Sequence, residues 1–207
     1  MTLRKHDRIN RNYAASRTRC LRSELLECRN LLSVSPVQTA AEEVSPTAFF
    51  SFDAETIDGG TLYGGEIIEA GAVDKAISLD GVDDYFALEA SEDLQIEGEI
   101  TIAAWVKPES KTGVQDIIAH GYTRNPNAEV FLRISGGQYQ IGSWNGSNHM
   151  ISVNIPTSDI GSWVHLCGTY DGTHWRLYRN GELAGILEDS VGAVTVNADW
   201  TVGASMN

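Results

Sequence analysis

Two short stretches between His120 and His149 gather aromatic and amide side chains. GYTRNPNAEV (Gly121–Val130) reads as a polar loop and GSWNGSNH (Gly142–His149) as a hairpin tip. With Tyr139 they offer Tyr122, Trp144 and His149 beside Asn125, Asn127, Asn145 and Asn148. An aromatic face can stack on the apolar face of a sugar ring while amides read its hydroxyls. The plainer reading has Trp144 capping a sheet edge and the Asn residues forming turns. Taken as a site, Tyr122, Asn125, Tyr139, Trp144, Asn145 and His149 are the expected ligand-contacting set.

The carboxylates suggest a second chemistry. Asp53, Asp58 and Asp171 are the expected calcium ligands, because Ca²⁺ takes six to eight oxygens and loops can supply them. No complete D-x-D-x-D-G loop frames them. Asp83 and Asp84 in LDGVDDYF read as a turn and register device. His165 and Cys167 face one way on a predicted strand, but two ligands without a C-x-x-C do not make a zinc site. The sequence has no G-x-S-x-G elbow, no H-E-x-x-H and no phosphate-cradling G-x-x-x-x-G-K-[ST] loop. No catalytic residue is assigned, and the expectation is a protein that is not an enzyme.

These side chains need a frame, and the turn residues indicate one. Asp80-Gly81, Gly136-Gly137, Asn145-Gly146, Asp171-Gly172 and Asn180-Gly181 are dipeptides that tolerate the positive φ of tight hairpins. Between them Ile100, Ile102, Ala104 and Val106 alternate with Thr101, Ala103, Trp105 and Lys107; Val130, Leu132 and Ile134 alternate with Phe131 and Arg133. That period of two predicts strands. No amphipathic helix of about 12 residues follows Phe49. The predicted architecture is an all-β, two-sheet antiparallel β-sandwich.

Charge divides the 207 residues unevenly. Met1–Thr39 carries eight Lys/Arg against three Asp/Glu, a net +5, and the remainder carries −18 of the total −13. An acidic main domain repels nucleic acid and anionic lipid, so neither is an expected partner. No apolar run approaches the roughly 20 residues of a membrane span. Leu21, Leu25, Cys28 and Leu32 share one face of a short predicted helix. The expected organisation is a basic leader (1–33), a linker (34–46) and one domain (47–207).

Two resemblances extend this reading. AFFSFDA (Ala48–Ala54), AVDKAISLDGVDDYFAL (Ala72–Leu88), ITIAAWVKP (Ile100–Pro108) and WVHLCGTYDGTHWRLYRNGELAG (Trp163–Gly185) resemble, in order and spacing, a laminin-G-like jelly roll of the concanavalin A-like lectin/glucanase superfamily. LECRNLLS (Leu26–Ser33) resembles the LExRxLLS segment of secreted and surface proteins of planctomycete bacteria. The first resemblance implies core positions for Trp105 and Trp163, and calcium on the sandwich rim. It also implies a first strand at Ala48–Ala54 whose usual neighbour, a closing strand after TVGAS, is missing, so that this open edge invites self-association. The glucanase signature E-x-D-x-x-E is not matched by EASEDLQIEGE (Glu89–Glu99). Together these imply a non-catalytic extracellular or cell-surface module that binds a glycan or glycosylated surface through rim loops. The alternatives are an adhesion module contacting matrix protein, and a non-catalytic part of a larger glycoside-processing enzyme.

Overall fold

The computed structural model describes residues 45–53, 57, 59–122 and 127–204. The leader, most of the linker, Asp58 and Asn125 lie outside them. The described strands are β1 (Gly60–Tyr63), β2 (Glu66–Ile68), β3 (Ala76–Ser78), β4 (Tyr85–Leu88), β5 (Ile100–Val106), β6 (Val114–Tyr122), β7 (Ala128–Ser135), β8 (Gln138–Trp144), β9 (Asn148–Asn154), β10 (Val164–Tyr170), β11 (His174–Arg179), β12 (Glu182–Glu188) and β13 (Trp200–Val202). A seven-stranded sheet runs β1-β4-β13-β6-β7-β8-β9 and a four-stranded sheet runs β12-β11-β10-β5. Strands β2 and β3 form a separate pair. Their pairings are antiparallel, as the hairpin dipeptides require.

The period of two decides which side chains meet between the sheets. Ile100 and Ile102 of β5, Val130, Leu132 and Ile134 of β7, Tyr139 and Ile141 of β8, and Val164, Leu166 and Tyr170 of β10 form one buried cluster with Trp175 and Leu177. Burial of such apolar area is the main favourable term in folding. Two glycines bring the sheets together: Gly168 of β10 faces Ile141, and Gly185 of β12 faces Ile151 and Val153. Asn180 and Gly181, at φ 49° and 80°, turn β11 into β12, and Gly136 and Gly137, at 59° and 77°, turn β7 into β8. Positive φ at both central residues matches the twist of the flanking strands.

The structure corrects three expectations. Ala48–Asp53 is not a strand: Phe52 has φ 58°, and the Phe50 and Phe52 rings pack on Phe86 at 4.9 and 5.5 Å. The open edge expected there therefore does not exist in that form; β1 and β9 flank the large sheet, while β5 and β12 flank the small one. Trp105 is 40% exposed, because it has the opposite parity to Ile102 and Ala104. Trp163 is half-buried, its indole N–H donating to Ala70 O at 3.2 Å. The tryptophans in the core are Trp175 and Trp200, with their indole N–H groups satisfied by Val191 O and Leu94 O, each at 2.8 Å.

Candidate functional site

The tip of the β8–β9 hairpin is where the aromatic and amide residues converge. β8 ends at Trp144, the chain turns through Asn145, Gly146 and Ser147, and β9 begins at Asn148. Gly146, at φ 105°, adopts a backbone conformation that a side chain would strain. Register then sets the faces. Trp144 lies between Glu129 of β7 and Asn148 of β9, so these three side chains share the outer face of the large sheet. The half-buried Trp144 donates its indole N–H to Asn127 Oδ1 at 3.2 Å. Asn127 itself sits at φ 65°, a left-handed conformation that Asn tolerates better than most residues.

A second polar set holds the tip from behind. His149 Nδ1 lies 3.0 Å from both carboxylate oxygens of Asp189, and its Nε2 lies 3.2 Å from Asn145 Oδ1. Asp189 is fixed in turn by the Val191 N–H at 2.9 Å. The exposed Asn145 is thereby tied, through His149, to the chain leaving β12. Two otherwise mobile side chains are ordered before any ligand arrives, which lowers the entropy cost of binding.

Further along the outer face, polar groups cross three strands. Arg133 Nη1 donates to Glu129 Oε2 at 3.1 Å and Arg133 Nε to Gln140 Oε1 at 3.0 Å. The Gln140 amide donates to Ser152 Oγ at 3.2 Å. The Arg133 guanidinium also lies 3.7 Å over the Phe131 ring, a favourable cation–π placement. Glu129 is fully buried. Desolvation pushes its carboxyl up to about 7, against the opposing pull of Arg133.

The expected ligand set is thus only partly assembled. Trp144, Asn145 and His149 come together at the tip. Tyr122 pairs with Ala128, one position from Glu129, and so belongs to the opposite face. Tyr139 is a correction: it is fully buried among the core residues, with its hydroxyl donating to Asp159 Oδ2 at 3.1 Å. It shares the inward parity of Ile141, five positions and most of a strand away from the tip. Glu129 and Asp189 were missed. The signal for Glu129 was a carboxylate four residues from Arg133, in phase with it and with Phe131, in a strand whose alternate positions Val130, Leu132 and Ile134 are apolar.

Of the expected calcium set, Asp58 lies outside the described residues, and Asp53 and Asp171 lie in separate depressions. Asp171 accepts from the Thr173 and His174 backbone N–H groups and pairs with Arg176. These partners hold its carboxyl well below the usual carboxylate range. It lines a depression with Glu99, Ile100, Thr101 and Tyr170, whereas Asp53 lines another with Glu69, Asp74 and Lys75. Asp53 Oδ1 accepts the Lys75 N–H at 3.2 Å. Among the described residues, the acidic side chains that converge are Asp80, Asp83 and Asp84, with ligand-capable oxygens within 4.8 Å of one another. Much of that capacity goes to their own turn: Asp80 Oδ1 accepts Val82 N–H at 2.8 Å and Asp84 Oδ2 accepts Asp80 N–H at 2.9 Å. His165 is buried on β10 with its ring 5.2 Å from that of Trp105.

The described residues thus form a two-sheet sandwich with an aromatic–amide hairpin tip. Residues 80–207 match the family model of the concanavalin A-like lectin/glucanases superfamily, and the chain belongs to that family. No curated protein matches the sequence. Among solved structures it is similar to domain 4 of AbnA, an extracellular GH43 arabinanase from Geobacillus stearothermophilus, in complex with arabinotriose. That likeness has 25% identity and a TM-score of 0.56, covering 70% of this chain and 73% of that one. The CBM40 of the Ruminococcus gnavus IT-sialidase, bound to α2,3-sialyllactose, is 15% identical with a TM-score of 0.50, covering 70% of this chain and 80% of that one. The botulinum neurotoxin serotype G binding domain is 14% identical with a TM-score of 0.56, over 70% of this chain but only 38% of that one. The last two establish the fold alone. Among the described residues no helix is long and apolar enough to cross a membrane.

Proposed function

We propose that the domain is a non-catalytic, extracellular carbohydrate-recognition module whose ligand seats on Trp144. The observation that carries this reading is the fixed indole: half-buried, held at Nε1 by Asn127, and flanked in register by Asn148. A sugar presents an apolar ring face to stack and hydroxyls to bond, and this tip offers one group for each. The arabinotriose complex of AbnA domain 4, the relative at 25% identity, supports the assignment to carbohydrate.

Calorimetric titration of the protein with arabinotriose and sialyllactose tests this. Binding of either sugar, abolished by Trp144→Ala with the fold intact by circular dichroism, is the expected result. Equal affinity in the Trp144→Ala variant would move the ligand elsewhere and refute the platform.

A further inference from the structure

Trp144 shares its face with an unusual neighbour. Its direct cross-strand partner is Glu129, and side chains so opposed stand about 5 Å apart at Cβ. Glu129 Oε2 is taken by Arg133, whereas the buried Oε1 has no hydrogen-bond partner among the described residues. Folded proteins seldom leave a buried acceptor without a donor. Nearby groups offer no relief. Arg133 is engaged by Glu129, Gln140 and the Phe131 ring, and the Gln140 amide is directed at Ser152. What remains unpaired beside Trp144 is a buried acceptor.

We infer that Glu129 Oε1 accepts a hydrogen bond from a hydroxyl of an uncharged sugar seated on Trp144, and that the site thereby selects neutral over acidic glycans. The inference rests on the carbohydrate reading above and names its ligand class. A sugar hydroxyl is the donor this oxygen lacks. An ionised sugar carboxylate or sulfate brings acceptors and negative charge toward Glu129, with Asp116 in register beside Arg133 and a net −18 beyond Thr39. Oε1 is closed to solvent in the ligand-free protein, so the hydroxyl reaches it only as a side chain over it moves aside on binding.

Burial already holds this carboxyl near 7. A donor favours the ionised form, so affinity for a neutral sugar rises as pH climbs through that value. A carboxylate with a purely structural role would change stability with pH and leave the affinity of the folded protein unchanged.

Titration of the full chain with arabinotriose and sialyllactose from about pH 6 to about pH 8 decides the matter. We expect arabinotriose to bind severalfold more tightly at the upper end and sialyllactose to bind roughly tenfold or more weakly. Glu129→Gln should weaken arabinotriose and flatten its pH profile. A flat wild-type profile, or sialyllactose bound as tightly as arabinotriose, overturns the inference. Both readouts come from the wild-type protein and stand even where the variant does not fold. Trp144-dependent binding with a flat profile removes the role of Glu129 alone. Absence of binding by either sugar removes the carbohydrate reading with it.

Discussion

Gly168 of β10 lies against Ile141 of β8 so closely that a Cβ on the glycine would overlap Ile141 near its branch point. The contact is between the two sheets, and the obstructing atoms begin at Ile141 Cβ, so the isoleucine cannot swing clear. Gly168→Ala should therefore cost about 1–3 kcal/mol through overpacking. Thermal unfolding should show a Tm lower by several degrees, and Ile141→Ala, which removes the obstructing Cγ1 and Cδ1, should cost less in the Gly168→Ala background than in the wild type. Unchanged stability in the single variant would mean that the sheets separate more easily than this contact implies.

A second prediction concerns the buried Tyr139 and Asp159 and the partly exposed Arg179 that joins them. The Asp159 carboxylate accepts from Tyr139 and pairs with Arg179, whose Nε lies 2.7 Å away. Arg179, and then Tyr139, hold its carboxyl below the usual range despite burial. Asp159→Ala should cost roughly 3 kcal/mol, since it strands both partners. The depressed folded value gives stability that is present above the ordinary carboxylate pKa and lost as pH falls through the folded one. Acid denaturation followed by fluorescence should show this loss in the wild type and less of it in the variant.

Glu129 contributes with the opposite sign. Its value is near 7 in the folded state against the ordinary 4.5 of a solvated glutamate, so the folded state binds more protons between those values. The contribution is fully present below 4.5 and lost as pH rises through about 7. It is on the order of 3 kcal/mol. His120 opposes it: burial lowers its pKa below 6.5, so its contribution is present above 6.5 and lost on acidification. Denaturant curves compared between wild type and Glu129→Gln isolate the glutamate. The variant should gain on the wild type as pH rises, and parallel profiles would contradict the assignment.

The exposed edge of the small sheet gives a fourth prediction. On β12, Leu183 and Ile186 are 53% and 51% exposed. The strand is interrupted by a register shift opposite Leu177 and Tyr178 and ends in Glu182 and Glu188. Irregularity and charge are the usual protections of a bare edge. Glu182→Val with Glu188→Val should produce concentration-dependent association in sedimentation, whereas the wild type stays at one sedimentation coefficient. Association of the wild type at equal concentration would show that the edge is not protected.

Much of the frame is legible in the sequence because parity is local. Ile100–Val106 and Val130–Ile134 alternate with the buried face as their residue types require, and the Gly136-Gly137 and Asn180-Gly181 turns lie where their φ preferences place them. Parity would also have put Tyr139 in the core with Ile141 and Trp105 outside with Thr101; family likeness obscured Trp105, and the appeal of an aromatic beside a polar loop obscured Tyr139. Phe50 and Phe52 are β-prone yet lie in no strand, since their rings fill space against Phe86 and the backbone follows. The candidate site was half visible. Trp144, Asn145 and His149 advertise a hairpin tip, but Glu129 and Asp189 reach it from other strands and loops, and only register reveals such neighbours.

Strand β13 pairs with β4 on one side and β6 on the other, although Trp200–Val202 follow every other described strand in the chain. During synthesis the ribosome therefore releases both halves of the large sheet before the residues that join them. Until then β4 and β6 each present a bare flank, and Trp200 is not yet there to stack on His120. The closing step joins residues about 80 positions apart or more, and such distant pairing is slow. A nascent chain paused short of Trp200 holds two unjoined half-sheets, which makes this interval the one in which chaperones or neighbouring nascent chains have most to bind.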